Sequence, residues 1–298
     1  RPGEDGKIQE ELERLGIPYN GSGPASAQLT LDKHRTNKIL REHGFLLATQ
    51  YLVDRDDFLH DPEAALTEAE ERLAYPLIAK PVDDGCSSAV KKIKTRAELK
   101  AFLETLFREE TFIGETQAKV LQLKPREEFP IKQQALLESL IEKGEADHFL
   151  EITGGMLIQG EVEPVFEVFE PSEALATDEV LSLEEKFLAG EGQNLTPARF
   201  ATDPERYRII ADQVKADLQK AAELLGVRGY CRIDAFVRIY PGDKVETLII
   251  EINSLPGMTP ATVIFHQAAL YGYKPLDFID RIIQFGFERK KGEFSANN

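Results

Sequence analysis

Arg232-Ile233-Asp234-Ala235-Phe236-Val237-Arg238-Ile239-Tyr240-Pro241-Gly242-Asp243-Lys244-Val245-Glu246-Thr247-Leu248-Ile249-Ile250-Glu251-Ile252-Asn253 reads as two strands, 228–240 and 245–253, either side of a Pro-Gly-Asp-Lys break. Gly242-Asp243 is a Gly-X pair, which suits a two-residue type II′ hairpin turn. If the hairpin closes there, Pro241 faces Lys244, Asp234 lies opposite Glu251, and Arg232 lies opposite Asn253. Side chains alternate faces along a strand, so these four share one face, with opposed Cβ atoms about 4.5–5.5 Å apart. Two carboxylates that close repel unless something neutralises them. Mg²⁺ is the natural candidate, because it takes hard oxygen ligands and completes its shell with water and substrate phosphates. Arg232 beside them suits an anionic oxygen. The competing reading is a solvated polar face, and a one-residue slip of register would separate the groups onto opposite faces.

Outward from the hairpin, a long helix is expected from Asp203-Pro204 to Gly226, and strands at 134–141, 148–158 and 163–169. Towards the N-terminus come helices at about Asp5–Leu15 and Leu31–His43, a third opened by Asp61-Pro62, and a fourth opened by the Thr95-x-x-Glu98 capping box. Tyr75–Val82 reads as a buried strand, and Ala89–Ile93 as its returning partner. The stretch 108–132 loses pattern, is charged, and carries Pro125 and Pro130, so it reads as an inserted or mobile connection. Strands joined by short turns outnumber βαβ units, which points to an α+β fold with antiparallel sheet.

The 298 residues, 42% apolar and 30% charged, have globular composition with material for a sizeable core. A formal charge of −16 repels phosphate backbones and anionic membrane surfaces, which argues against nucleic acid and membrane as partners. Cys86 and Cys231 are too far apart to suggest a disulfide framework, and the five histidines show no zinc spacing. Two reduced thiols and the lack of a signal peptide fit a cytoplasmic protein. The chain opens at Arg1-Pro2-Gly3 without Met or a preceding element, so an N-terminal part is expected to precede it.

Other residues carry chemistry less directly. Lys80 ends the apolar run Pro76-Leu77-Ile78-Ala79, where a lysine is costly unless it meets an anion such as phosphate. Lys33 taken alone reads as a surface lysine. Gly85-Cys86-Ser87-Ser88 supplies small residues, N–H groups and hydroxyls that can cradle phosphate. It is no nucleophile elbow, because the residues after it look like strand. No Walker motif and no Gly-x-Gly-x-x-Gly occurs. Glu138 and Glu151 interrupt apolar runs, and each alone reads as the wet side of a strand.

Taken in order, Gly3-Glu4-Asp5-Gly6-Lys7-Ile8-Gln9, Ile17-Pro18-Tyr19-Asn20-Gly21-Ser22-Gly23, Asp32-Lys33, Ile78-Ala79-Lys80-Pro81, Arg232-Ile233-Asp234 and Glu251-Ile252-Asn253-Ser254-Leu255-Pro256-Gly257-Met258-Thr259 resemble the D-alanine–D-alanine ligases of the ATP-grasp superfamily. The resemblance covers nearly the whole chain. It implies two antiparallel-sheet lobes clasping a nucleotide, preceded by the remnant of a small α/β N-terminal domain. The corresponding division is 1–28 for the remnant, 29–107 for the central lobe, 108–133 for the connection and 134–298 for the C-terminal lobe.

The resemblance also implies roles. Lys33 and Lys80 would hold ATP phosphates with the loop at Ser87. Glu138 would meet adenine, Glu151 the ribose, and Lys186 the phosphates from a mobile loop. Asp234, Glu251 and Asn253 would ligate Mg²⁺, with Mn²⁺ as an allowed substitute. Arg232 would stabilise the transferring phosphoryl group, Gly257 would donate to the oxyanion, and Glu4 would sit near the substrate. The implied partners are small molecules, ATP and D-amino acids, with a homodimer left open. The implied activity is ATP-dependent joining of two D-alanines through an acylphosphate, for peptidoglycan precursor synthesis. A sister carboxylate–amine or depsipeptide ligase, or a non-ligating ATP-binding module, is the alternative. Three departures from the family pattern bear on it: Gly85-Cys86-Ser87-Ser88-Ala89 replaces the usual Gly-Ser-Ser-Val-Gly, Phe187 stands where a Tyr is usual, and Thr262 where a Ser is usual near the second substrate.

Overall fold

Asp32, Asp61, Thr95 and Asp203 each open a helix by accepting one of its first free N–H groups. The computed structural model describes residues 3–85, 88–124, 127–175, 194–259 and 262–296. Its N-terminal segment carries α1 (Lys7–Arg14), α2 (Pro24–Leu31) and α3 (Lys33–Glu42). The helix expected at 31–43 is α3, and α2 is an additional helix ahead of it. Asp32 ends α2 with extended backbone, and its carboxylate caps α3 by accepting from the Arg35 N–H at 2.9 Å. Periodicity could not mark α2, which lacks an apolar stripe.

The first sheet has strands β1 (Gln50–Asp54), β2 (Leu77–Pro81), β3 (Lys91–Ile93) and β4 (Gln134–Ser139), all antiparallel, in the order β1-β4-β2-β3. Strand β4 was grouped by sequence with the strands that follow it, but its hydrogen bonds run to β1 and β2. Helices α4 (Arg55–His60), α5 (Pro62–Arg72), α6 (Arg96–Leu106) and α7 (Glu115–Val120) accompany this sheet, and Leu66, Leu99, Phe102 and Leu106 form its core with Leu77 and Leu137. The stretch read as patternless is packed here. Leu121 and Phe129 are buried in the same core, and the Arg108 guanidinium donates to the carbonyls of Thr105, Phe129 and Pro130.

The second sheet holds β5 (His148–Gln159), β6 (Val165–Val168), β7 (Ser172–Ala174), β8 (Asn194–Leu195), β9 (Gly229–Ile239) and β10 (Val245–Asn253). Its order is β10-β9-β5-β7-β8, with β6 also on β5. One face is covered by α8 (Pro204–Leu224), through Ile210, Val214, Leu218 and Ala221. Leu157 and Tyr230 instead pack with residues of α9 (Val263–Leu270) and α10 (Pro275–Ala296), among them Ile264, Phe278 and Ile282. Strand β5 is therefore squeezed from both sides, and Gly154-Gly155 answers that. A Cβ on Gly154 would lie 2.3 Å from Leu218 Cδ1, and one on Gly155 would lie 2.3 Å from Gln267 Oε1 and 2.9 Å from Ile264 Cγ1. Gln267 is fully buried and tied by two hydrogen bonds, so it has little room to yield. Gly155→Ala is expected to destabilise by about 1–3 kcal/mol through overpacking, measurable by thermal unfolding; an unchanged midpoint would show that α9 can shift.

The decisive hairpin reaches its register by a route the sequence did not reveal. Pro241–Asp243 forms a short 3₁₀ turn with Gly242 and Asp243 left-handed at φ 71° and 62°. The Tyr240 N–H bonds the Lys244 carbonyl at 2.9 Å, so the loop has three residues and not the expected two-residue II′ turn. Arg238 consequently pairs with Glu246 and Ala235 with Ile249. Continued unchanged, this register would set Glu251 opposite Ile233, on the wrong face for Asp234. A β-bulge between Ile249 and Glu251 absorbs one residue, and beyond it Glu251 pairs with Asp234 and Asn253 with Arg232. The expected pairs are the observed ones because two one-residue shifts cancel.

Candidate active site

Two contacts help bring the sheets face to face. The Lys33 N–H, at the start of α3, donates to the Val82 carbonyl at 3.0 Å, just past β2. The Ile249 N–H donates to the Leu46 carbonyl at 3.2 Å, where Leu46 and Leu248 make a parallel bridge. Between the sheets lies a cleft of about 1030 Å³. Lys33, Lys80, Glu138, Glu151 and Glu251 line it with apolar groups from Ile78, Val90, Leu140, Phe236, Ile249 and Ile250. A second pocket of about 380 Å³ adjoins it, lined by Glu4, Thr30, Asn253 and Ser254 among others. Lys33, Asp84 and Glu251 line both and form the partition.

The charged groups along the cleft are paired with care. Lys80, 5% exposed on β2, holds its ammonium 2.6 Å from Glu138 Oε2 on the neighbouring β4. The other oxygen, Oε1, accepts from Gln50 Nε2 at 2.7 Å. Glu138 is thus a buried, doubly held carboxylate and not the wet side of a strand. Lys33, also buried, lies 3.2 Å from Glu251 Oε1 and donates to the Asp84 carbonyl. Lys132, just before β4, reaches the same loop, 3.1 Å from Asp83 Oδ1 and 3.4 Å from Asp84 Oδ2. Neither Gln50 nor Lys132 was singled out from the sequence, since only the strand pairing and the loop path bring them near.

On the facing sheet, Asp234 Oδ1 accepts from the Thr153 hydroxyl at 2.6 Å and lies 3.3 Å from Arg232 Nε. Asn253 Oδ1 accepts from the Leu255 N–H at 3.3 Å where the chain leaves β10. Asp234 is thereby paired with Glu251 and Arg232 with Asn253 as expected, and Glu4 lines the second pocket with Glu251 and Asn253. Gly257 is exposed downstream of β10. Thr262 sits just ahead of α9, its N–H on the Thr259 carbonyl at 2.9 Å and its hydroxyl 3.0 Å from that of Thr259. Ser87, Lys186 and Phe187 lie outside the described residues. Cys231 is wholly buried, and burial pushes its thiol pKa up, so it has no chemical role.

The donor set can be tested against a divalent cation. Two opposed carboxylates and a carboxamide on one face are hard oxygen ligands of the kind Mg²⁺ takes. Among the described residues no cluster of three or more His, Cys, Asp or Glu at metal-holding spacing occurs. The protein therefore offers a partial shell, which fits a cation completed by water and ligand phosphates.

Solved structures share this architecture. The VanG D-Ala:D-Ser ligase from Enterococcus faecalis superposes with a TM-score of 0.68 at 23% identity, covering 95% of this chain and 69% of that one. The D-alanine–D-alanine ligase from Bacillus anthracis complexed with ATP gives 0.64 at 22%, covering 98% and 77%. The fold is ATP-grasp, two antiparallel sheets about a cleft. The family model described as "D-ala D-ala ligase C-terminus" matches residues 39–119 and 130–284, and a D-alanine–D-alanine ligase of Leptospira interrogans is 30% identical over 288 residues, 96% of this chain and 71% of that protein. The chain belongs to the D-alanine–D-alanine ligase family. The match runs through 108–119, so only 120–129 of the stretch read as an insertion falls outside it.

Proposed function

We propose that the protein joins two D-alanines at the expense of ATP. The observation that carries this reading is the meeting of Lys33 and Lys80, from α3 and the first sheet, with Glu251 of the second in one cleft, Asp234 being paired with Glu251 and Arg232 with Asn253 on the same hairpin, with a smaller pocket opening at the Lys33–Glu251 partition. The larger cleft has the apolar walls and buried acid suited to a nucleobase and ribose, with Glu138 and Glu151 meeting their polar edges. Lys33 and Lys80 meet its phosphates, and because Asp84, Glu138, Glu151 and Glu251 share the lining, a bound divalent cation would supply the remaining positive charge.

Mg²⁺ bound by Asp234, Glu251 and Asn253 would supply charge neutralisation and alignment of the β- and γ-phosphate oxygens. The carboxylate of the first D-alanine, seated in the smaller pocket, attacks the γ-phosphorus, and ADP leaves. Arg232 holds the transferring phosphoryl oxygens. The amine of the second D-alanine then attacks the acyl carbon of the acylphosphate, and phosphate leaves with the former carboxylate oxygen as the amine loses its proton. Arg232 and the Gly257 N–H balance the oxyanion of the tetrahedral intermediate. Most of the catalysis is positioning and electrostatics.

Incubation of the purified protein with ATP, Mg²⁺ and D-alanine is expected to release phosphate and ADP and form D-alanyl-D-alanine, seen by mass spectrometry. Parallel reactions with D-serine or D-lactate as second substrate test the acceptor, which Phe187 in place of Tyr leaves open to a hydroxyl. Tight ATP binding without turnover on any acceptor would replace the ligase reading by a nucleotide-binding one.

A further inference from the structure

Thr153 in β5 pairs directly with Asp234 in β9. Its hydroxyl donates to Asp234 Oδ1 at 2.6 Å, the short length of a charge-assisted O–H···O⁻ bond. Arg232 Nε, 3.3 Å away, faces the same oxygen. Thr153 and Arg232 thus both meet this carboxylate at Oδ1. Thr153 is itself held firmly. It is buried, and its carbonyl accepts from Gln267 Nε2 at 2.7 Å. The second amide hydrogen of Gln267 serves Ser172 Oγ at 3.0 Å, and both residues are wholly buried. The glycines that follow, Gly154 and Gly155, let α8 and α9 press on β5 at this point.

We propose that Thr153 is a positioning residue that fixes the rotation of the Asp234 carboxylate, so that Oδ2 is presented to the divalent cation. This rests on the reading of Asp234 as a cation ligand. Groups that hydrogen-bond a ligating carboxylate restrict its orientation, and their loss weakens metal binding without removing a ligand. Thr153→Val keeps the volume and the β-branch and removes the donor. Thr153→Ser keeps the donor and removes the methyl.

Binding of Mn²⁺ to the intact protein with a non-hydrolysable ATP analogue, followed by electron paramagnetic resonance, is the test. Thr153→Val is expected to weaken Mn²⁺ about 10–100-fold while Thr153→Ser stays within about threefold of the unsubstituted protein. Binding of the analogue without metal and the unfolding midpoint are expected to change little in either variant. Unchanged Mn²⁺ affinity in Thr153→Val overturns the proposal, and so does equal weakening in both variants, which would make the effect one of packing. Asp234→Asn separates the two readings. If it abolishes Mn²⁺ binding while Thr153→Val does not weaken it, only the role of Thr153 falls. If the unsubstituted protein binds no Mn²⁺ with nucleotide, the cation site falls and the role of Thr153 with it.

Discussion

Glu251→Gln is expected to lower Mg²⁺-dependent turnover by about 10³-fold in a protein that still folds, since three decades correspond to about 4 kcal/mol of transition-state stabilisation, the scale a metal's charge supplies. Glu251 sits at the junction of the two pockets, paired across the hairpin with Asp234 and 3.2 Å from the Lys33 ammonium. Gln has the same shape and one good oxygen but no charge. It cannot neutralise a cation beside ATP phosphates, so the loss falls on the step in which charge moves. The fold should tolerate the change. The Glu251 side chain is 24% exposed, and Lys33 keeps its bond to the Asp84 carbonyl. Phosphate release measured across a Mg²⁺ titration, beside a thermal melt, checks both halves. An unchanged rate removes Glu251 from the cation site, and a lost melting transition would mean that the ion pair is chiefly structural.

Lys80→Met is expected to abolish the stabilisation of the protein by ATP and also to lower its stability by about 3–5 kcal/mol, the usual penalty for breaking a buried ion pair. The side chains of Lys80 and Glu138 are only 6% and 10% exposed, so solvent cannot replace the lost partner. Glu138 would retain Gln50 as its single donor. At about 2–4 °C per kcal/mol for domains of 150–250 residues, the midpoint should fall on the order of 10 °C. The double variant Lys80→Met/Glu138→Leu separates the two effects. Apolar replacement of both partners is often neutral, so the midpoint should largely recover while the ATP-induced shift stays absent. Recovery of the shift in the double variant would mean that Lys80 serves the strand pair and not the nucleotide. A double variant as unstable as Lys80→Met alone would place the cost outside the ion pair.

Much of the site was legible along the chain because its parts are local. Asp234 and Glu251 come from adjacent strands of one hairpin, so a count along the sequence brings them together. Lys80 closes an apolar run and is where a costly lysine should be, buried against an acid. The helix starts at Asp61, Thr95 and Asp203 follow from the chemistry of caps, and each side chain accepts the expected N–H. What was missed is non-local or aperiodic. Helix α2 has no apolar stripe, and β4 could be assigned to its sheet only through pairing with β1 and β2. Thr153 follows Glu151 by two residues and shares its strand face, a visible signal, but its role depends on β5 lying against β9 some 80 residues later.

The sequence by itself determined which chemical groups this protein has to work with and that Arg232, Asp234, Glu251 and Asn253 lie on the two arms of one hairpin, because alternation and turn residues are properties of neighbours. The tertiary structure decided how those arms register. The three-residue turn shifts the strands by one, and the bulge between Ile249 and Glu251 shifts them back. Side-chain period in a strand is two, so either shift alone would have turned Glu251 away from Asp234. Tertiary structure alone also set Lys33 against Glu251 and Lys80 against Glu138, since those pairs join elements whose approach is set by packing of the cores and not by spacing along the chain.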